Sequence, residues 1–236
     1  MDVFSLDFES FLSGASPIET LIVLNAPPLP KSLEVLWRSA KRTVCADGGA
    51  NVLFESFGNS LLPEAIVGDL DSVSSSLMTE WEALNVEVIR FDDQDSTDLD
   101  KCLNWSCTDP CGTIAVVGMG GSRLDHLFGI FNSCYTYAKK HPLQKIVLLG
   151  ADSVSLLLPP GVSELKFPGF MKDAHCGLIP LFGEVLCVRT KGLRWELNDD
   201  VTSFGNLFST SNRLAGTQLE IQSTGWLVWT IEKNST

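Results

Sequence analysis

Residues 43–71 read TVCADGGANVLFESFGNSLLPEAIVGDLD. A short apolar run, Thr43–Ala46, meets Asp47-Gly48-Gly49, and a helical stretch begins at about Ala50. A second apolar run, Ala65–Val67, then ends in Gly68-Asp69-Leu70-Asp71. Apolar strand, glycine turn, helical segment and apolar strand together make one βαβ unit. The same rhythm extends to both sides. Leu21–Leu24, Glu87–Phe91, Thr113–Val117 and Lys145–Leu149 repeat the strand signal, while Ser32–Ala40, Ser75–Leu84, Thr97–Trp105 and Leu124–Lys140 repeat the helical one. In the last of these, Leu127, Phe128, Phe131, Cys134, Tyr135 and Ala138 recur at three- and four-residue spacing and predict one buried face. Continuously apolar strands separated by helices imply a parallel sheet covered on both faces, a Rossmann-like α/β domain.

After Pro159-Pro160-Gly161 the texture changes. Gly and Pro recur every several residues, helical periodicity disappears, and short β-rich stretches follow at Leu178–Phe182, Val185–Thr190, Val201–Phe204, Gln218–Gln222 and Trp226–Ile231. This predicts an antiparallel β-sandwich or barrel. The expected domains are therefore residues 1–160 (α/β) and 161–236 (β), with the break near 155–165.

With 236 residues, 44% hydrophobic and 19% charged, the chain can bury a substantial core and is not disordered. Lys plus Arg total 17 against 29 Asp plus Glu, a net charge of −12, which argues against nucleic-acid and anionic-membrane binding. A small phosphate ligand stays compatible, because a metal ion inverts the local sign of an acidic site. The segment Met1–Glu19 has Asp2, Asp7 and Glu9 but no Lys or Arg, unlike a secretory signal, and no apolar run approaches the ~20 residues needed to span a bilayer. Seven cysteines without a C-x-x-C pair read as reduced thiols rather than a zinc site. A soluble, cytoplasmic protein is expected.

In open α/β sheets, ligands bind at the carboxyl ends of the strands. Four successive predicted strands end in acids and glycines: Asp47-Gly48-Gly49-Ala50-Asn51, Gly68-Asp69-Leu70-Asp71-Ser72, Asp92-Asp93-Gln94-Asp95-Ser96-Thr97-Asp98, and Gly118-Met119-Gly120-Gly121-Ser122-Arg123-Leu124-Asp125-His126. Singly, Asp69 reads equally well as a turn cap, Asp71 as a helix start and Asp98 as a first-turn acid. As a group they read as hard oxygen ligands for magnesium, which binds through a few carboxylates and substrate phosphates. The last segment is not a dinucleotide fingerprint, since Arg123 stands where the third glycine is required, and the chain has no Walker loop. What remains is a glycine-rich strand-to-helix turn with one Arg, suited to a phosphate.

The ordered set D-G-G-A-N, G-D-L-D-S, D-Q-D-S-T-D and G-G-S-R-L-D-H, followed by G-L-R-W-E-L at Gly192–Leu197 and S-T-S-N at Ser209–Asn212, resembles the thiamine pyrophosphokinase (thiamine diphosphokinase) family. The resemblance runs from about Leu21 to Ile231. It implies transfer of the terminal pyrophosphoryl group of ATP to the hydroxyl of thiamine, giving thiamine diphosphate and AMP, with Mg2+ as cofactor. It implies a homodimer in which the catalytic domain of one subunit and the β domain of the other share the active site. Position by position, it makes Asp69, Asp71 and Asp98 the magnesium and pyrophosphate-handling acids, with Gln94 and Thr97 in the same cleft. Arg123 and Asp125 go to the nucleotide phosphates, Asp47 and Asn51 to the reacting centre, and Trp195, Ser209, Ser211 and Asn212 to the thiamine pocket. One departure stands out: the family shows two glycines before the Arg, and this chain has Gly121-Ser122. The turn is expected to survive, unless it needs positive φ at Ser122.

The chemistry agrees with the resemblance. Attack at the β-phosphorus builds charge on the leaving AMP oxygen, which a metal and an Arg stabilise. A carboxylate, Asp71 or Asp98, accepts the hydroxyl proton. Two other readings stay open: a phosphotransferase acting on a different alcohol, and a non-catalytic sensor of thiamine diphosphate or a cation.

Overall fold

The structure, a computed structural model, describes residues 3–106, 109–120 and 123–233. It divides into two compact units, one made of the residues up to Ser13 together with those from Asp152 onward, the other of Gly14–Ala151. In chain order the first elements are β1 (Phe4–Asp7) and α1 (Phe8–Leu12), both in the first of these units.

The Gly14–Ala151 unit contains β2 (Ile18–Val23), α2 (Leu33–Ser39), β3 (Ala40–Ala46), α3 (Gly49–Phe57), β4 (Ala65–Gly68), α4 (Ser75–Ala83), β5 (Glu87–Arg90), α5 (Asp98–Trp105), β6 (Thr113–Val117), α6 (Leu124–Lys140) and β7 (Lys145–Leu149). Its strands run parallel in the order β7-β6-β2-β3-β4-β5, with Val23 opposite both Cys45 and Val117. All six residues of the central β2 are buried, as expected of a strand flanked by strands and covered by helices. The chain proceeds outward from β2 through β5, then returns to the other side of β2 as β6. The carboxyl ends of β2 and β6 therefore form the topological switch point, where such sheets open a crevice.

Helix α6 departs from the expected face. It buries Ser133, Cys134, Tyr137 and Ala138, while Phe128 is 46% exposed and Leu124 also faces outward. Only its second half is seated among core residues; the first turns line a cleft. The periodicity was real, but its amino-terminal half does not seal a core.

The other unit holds β1, α1, β8 (Ser153–Leu158), β9 (Gly161–Lys166), β10 (His175–Ile179), β11 (Val185–Lys191), β12 (Asn198–Thr202), β13 (Ser209–Arg213), β14 (Gln218–Ser223) and β15 (Leu227–Glu232). One sheet runs β1-β9-β14-β11-β12 and the other includes β13-β10-β15-β8. Strand β14 alternates exposed and buried residues, the signature of a sheet with one solvated face. Phe167 joins the two sheets, stacking on Phe8 at 4.7 Å and lying 6.3 Å from the buried Trp229. The expected sandwich is therefore present, with one parallel pair: β1 lies along β9 from Phe4 opposite Ser163 to Asp7 opposite Lys166.

Two boundaries differ from expectation. Residues 3–13, assigned from sequence to the α/β domain, complete the sandwich instead, because their apolar side chains Phe4, Leu6, Phe8 and Phe11 are buried there. The sandwich also begins at Asp152, since β8 pairs antiparallel with β15. The Val201–Phe204 strand is shifted to Asn198–Thr202, and Phe204 is exposed in the following turn. Among the described residues, no helix is long and apolar enough to cross a membrane. The six described cysteines are free thiols.

Candidate active site

Strand β3 runs into Asp47, whose backbone takes φ 41°, a left-handed conformation uncommon outside glycine. Its N–H still donates to the Val67 carbonyl at 3.0 Å, so the sharp turn comes directly off the sheet ladder. Gly49 follows because a Cβ there would lie 2.2 Å from the Val23 carbonyl oxygen: the turn passes against the end of β2. The Asp47 carboxylate is buried (2% exposed) and accepts the Ser72 and Val73 N–H groups, each at 3.0 Å. Burial raises its pKa above the ordinary carboxylate value, against the pull of those two N–H groups, and the nearby Asp98 charge adds to the rise. Asn51, one turn into α3, braces the same loop by donating to the Ser72 carbonyl (2.9 Å) and accepting the Ser74 N–H (3.0 Å).

Three carboxylates meet at these strand ends. Asp47, Asp69 and Asp98 each place an oxygen within 4.8 Å of the others. Gly68 makes this approach possible, since a Cβ at that position would sit 2.8 Å from the Asp47 Cβ and 3.0 Å from Asp98 Oδ1. Gln94 donates to Asp69 Oδ2 at 3.3 Å. Asp98 Oδ1 accepts the Asp69 N–H at 3.4 Å and the Lys101 ammonium at 3.2 Å. Three hard oxygen donors gathered this closely are of the ligand type that Mg2+ takes.

Asp71 is not in this group. Leu70 adopts φ 65°, which breaks the extended geometry that would align residues two apart, and Asp71 faces solvent with Oδ1 accepting the Ser72 hydroxyl at 2.8 Å. Asp47, rather than Asp71, completes the cluster with Asp69 and Asp98. Lys101 is a residue the sequence reading missed. A lysine three positions after Asp98 at a helix start was the available signal.

Thr97 caps α5 in a reciprocal box with Asp100, and its hydroxyl lies 3.1 Å from that of Ser133 on α6. Arg123 and Asp125 pair with one another at the start of α6, through Arg123 Nε to Asp125 Oδ1 at 3.2 Å and a second short contact. The Arg123 partnership lowers the Asp125 pKa to about 2. Gly121 and Ser122 lie outside the described residues, and with them the question of φ at Ser122. Asp69, Thr97, Asp98, Lys101, Arg123 and Asp125 line a cleft of about 570 Å³ that also takes in Leu24, Asn25 and Gly118, at the switch point between β2 and β6.

In the sandwich unit, Trp195 is 55% exposed, so it is not a core residue. Its backbone is clipped by the buried Asn212 side chain, which also lies 3.4 Å from Ser209 Oγ. Glu196, likewise missed from sequence, accepts the Gly192 and Leu193 N–H groups and the Thr190 hydroxyl, closing the loop that carries Trp195. Ser211 is exposed at φ 60°, and the Arg194 guanidinium stands 5.0 Å from the Trp195 ring centroid.

Comparison with known proteins covers both units. A family profile described as the thiamin pyrophosphokinase catalytic domain matches residues 33–148, and one described as the thiamin pyrophosphokinase vitamin B1 binding domain matches residues 164–228. The chain is 35% identical to thiamine pyrophosphokinase 1 of Oryza sativa subsp. japonica, over 92% of this chain and 88% of that one. It is 34% identical to thiamine pyrophosphokinase 1 of Arabidopsis thaliana, over 92% and 86%. Among solved structures, the thiamin pyrophosphokinase from Candida albicans superposes with a TM-score of 0.86 at 23% identity, covering 98% of this chain and 93% of that chain, a likeness of fold.

Proposed function

The chain belongs to the thiamin pyrophosphokinase family, and we propose that it transfers the β,γ-pyrophosphoryl group of ATP to the hydroxyl of thiamine, releasing AMP. The observation that supports this most directly is the group of Asp47, Asp69 and Asp98, gathered beside a switch-point cleft with Arg123 at its rim. We assign these three acids to one Mg2+, with Gln94 orienting Asp69. A Mg2+ held by these three acids would supply positive charge to offset that on the phosphate oxygens and on the departing AMP. Arg123 exchanges its Asp125 partner for a phosphate oxygen, and the bidentate guanidinium then fixes the chain for in-line displacement. Thr97 and Asn51 act through structure, as helix cap and loop brace.

Asp71 faces solvent and stands outside the three-acid group, so we assign it the hydroxyl proton. The thiamine oxygen bonds to the β-phosphorus, the bond to the bridging oxygen breaks, and its electron pair leaves with AMP while the proton passes to Asp71. Trp195 offers the cationic thiazolium ring of thiamine an exposed aromatic face worth ~0.5–2 kcal/mol. Ser209 and Asn212 hold its loop, and Ser211 lies in the same strand. We extend the reading to a cytoplasmic homodimer in which the acids of one subunit serve with Trp195 of the other.

The test is a product assay with purified protein, MgATP and thiamine that resolves AMP from ADP. Thiamine diphosphate with equimolar AMP is expected. ADP with thiamine monophosphate overturns the reaction assigned here, and no product overturns the enzyme.

A further inference from the structure

Lys101 occupies a place that neither the helix dipole nor hydration favours. It is the fourth residue of α5, where the helix dipole disfavours a cation, and it is only 5% exposed. Its ammonium has one hydrogen-bond acceptor among the described residues, Asp98 Oδ1 at 3.2 Å. That same oxygen accepts the Asp69 N–H at 3.4 Å, so Oδ1 is engaged twice from within the protein. Among the described residues no hydrogen bond engages the other oxygen of Asp98, Oδ2. Lys101 also offsets one of the three carboxylate charges of Asp47, Asp69 and Asp98, bringing the ionised group to a net charge that one divalent ion balances.

We propose that Lys101 is a positioning residue that sets the cation preference of the site, through Asp98. Resting on the metal reading above, the argument turns on ligand geometry. Ca2+ takes six to eight oxygens and accepts bidentate carboxylates, whereas Mg2+ requires about six ligands in near-octahedral array and keeps several waters. By occupying Oδ1, Lys101 denies Asp98 the bidentate mode and favours the smaller ion. A buried lysine with a purely structural role would leave the ratio of the two affinities unchanged.

The experiment uses the full chain freed of metal, with Mn2+ binding followed by electron paramagnetic resonance and with Mg2+ and Ca2+ as competitors, with and without ATP. Wild type is expected to prefer Mg2+. Lys101→Met, which keeps the stem and removes the charge, is expected to shift the ratio toward Ca2+ by about tenfold, and Lys101→Arg to hold it within about threefold. An unshifted ratio in a Lys101→Met protein that melts like wild type overturns the proposal. So does a wild-type protein that binds Ca2+ as tightly as Mg2+, a result that needs no variant. Wild type that binds none of the three ions, even with ATP, overturns the metal site itself and this inference with it.

Discussion

The Asn212 side chain grips the backbone of Trp195 in both directions, donating to its carbonyl at 2.7 Å and accepting its N–H at 3.2 Å. A buried amide thus does for this loop what a paired strand would do. Asn212→Ala leaves both backbone groups without that partner and frees the indole. We expect the KM for thiamine to rise by roughly tenfold, about 1.4 kcal/mol, while the KM for ATP stays within about twofold. Steady-state kinetics with each substrate varied in turn decides it, and equal effects on both would remove Trp195 from the thiamine pocket.

Asp47 and Asp71 should separate stability from turnover. Asp47→Asn turns one amide hydrogen-bond donor toward a backbone N–H that the carboxylate now accepts, so it should cost about 1–3 kcal/mol in urea unfolding and also lose AMP release. Asp71→Asn changes an exposed side chain. It should abolish AMP release with stability within about 0.5 kcal/mol of wild type. Near-normal turnover in Asp71→Asn would reassign the proton acceptor.

Asp7 caps α1 and pairs with Lys166 at 2.9 Å, and the Lys166 hydrogen bond holds its pKa below the ordinary 3.8. A depressed carboxylate adds stability above its unfolded value and loses it as the pH falls through the folded value. With Lys166 exposed and Asp7 partly so, Asp7→Asn should cost under about 1 kcal/mol at neutral pH. The gap to wild type should close progressively below pH 3.8, as read by urea unfolding across that range. A gap that stays constant to acid would mean the charge contributes nothing.

Phe8 is fully buried and stacked on Phe167. Phe8→Ala should lower the stability of the sandwich by about 3–5 kcal/mol. A loss below about 1 kcal/mol would show that the amino-terminal segment docks only loosely.

The parallel sheet was legible because its strands carry short continuous apolar runs, as in Ala65–Val67, and because acids and glycines recur at their ends. The membership of the acid group was not. It depends on φ 41° at Asp47 and φ 65° at Leu70, conformations that spacing cannot reveal. Spacing places Asp69 and Asp71 together only if the segment is extended. The pairing of β1 with β9 was hidden for another reason: partners so far apart in sequence share no local pattern. Phe128 shows the reverse limit, since an apolar helical stripe reports periodicity and not what covers it.

That β1–β9 pairing also imposes an order on synthesis. Phe4 and Leu6 of β1 are synthesised before Ser163–Lys166, along which β1 lies, and the whole of Gly14–Ala151 comes between them. At ~5–20 residues per second the wait is on the order of ten to thirty seconds, ample for the intervening unit to fold alone. During that interval Phe4, Leu6, Phe8 and Phe11 are made but still lack the strand whose pairing completes their shelter.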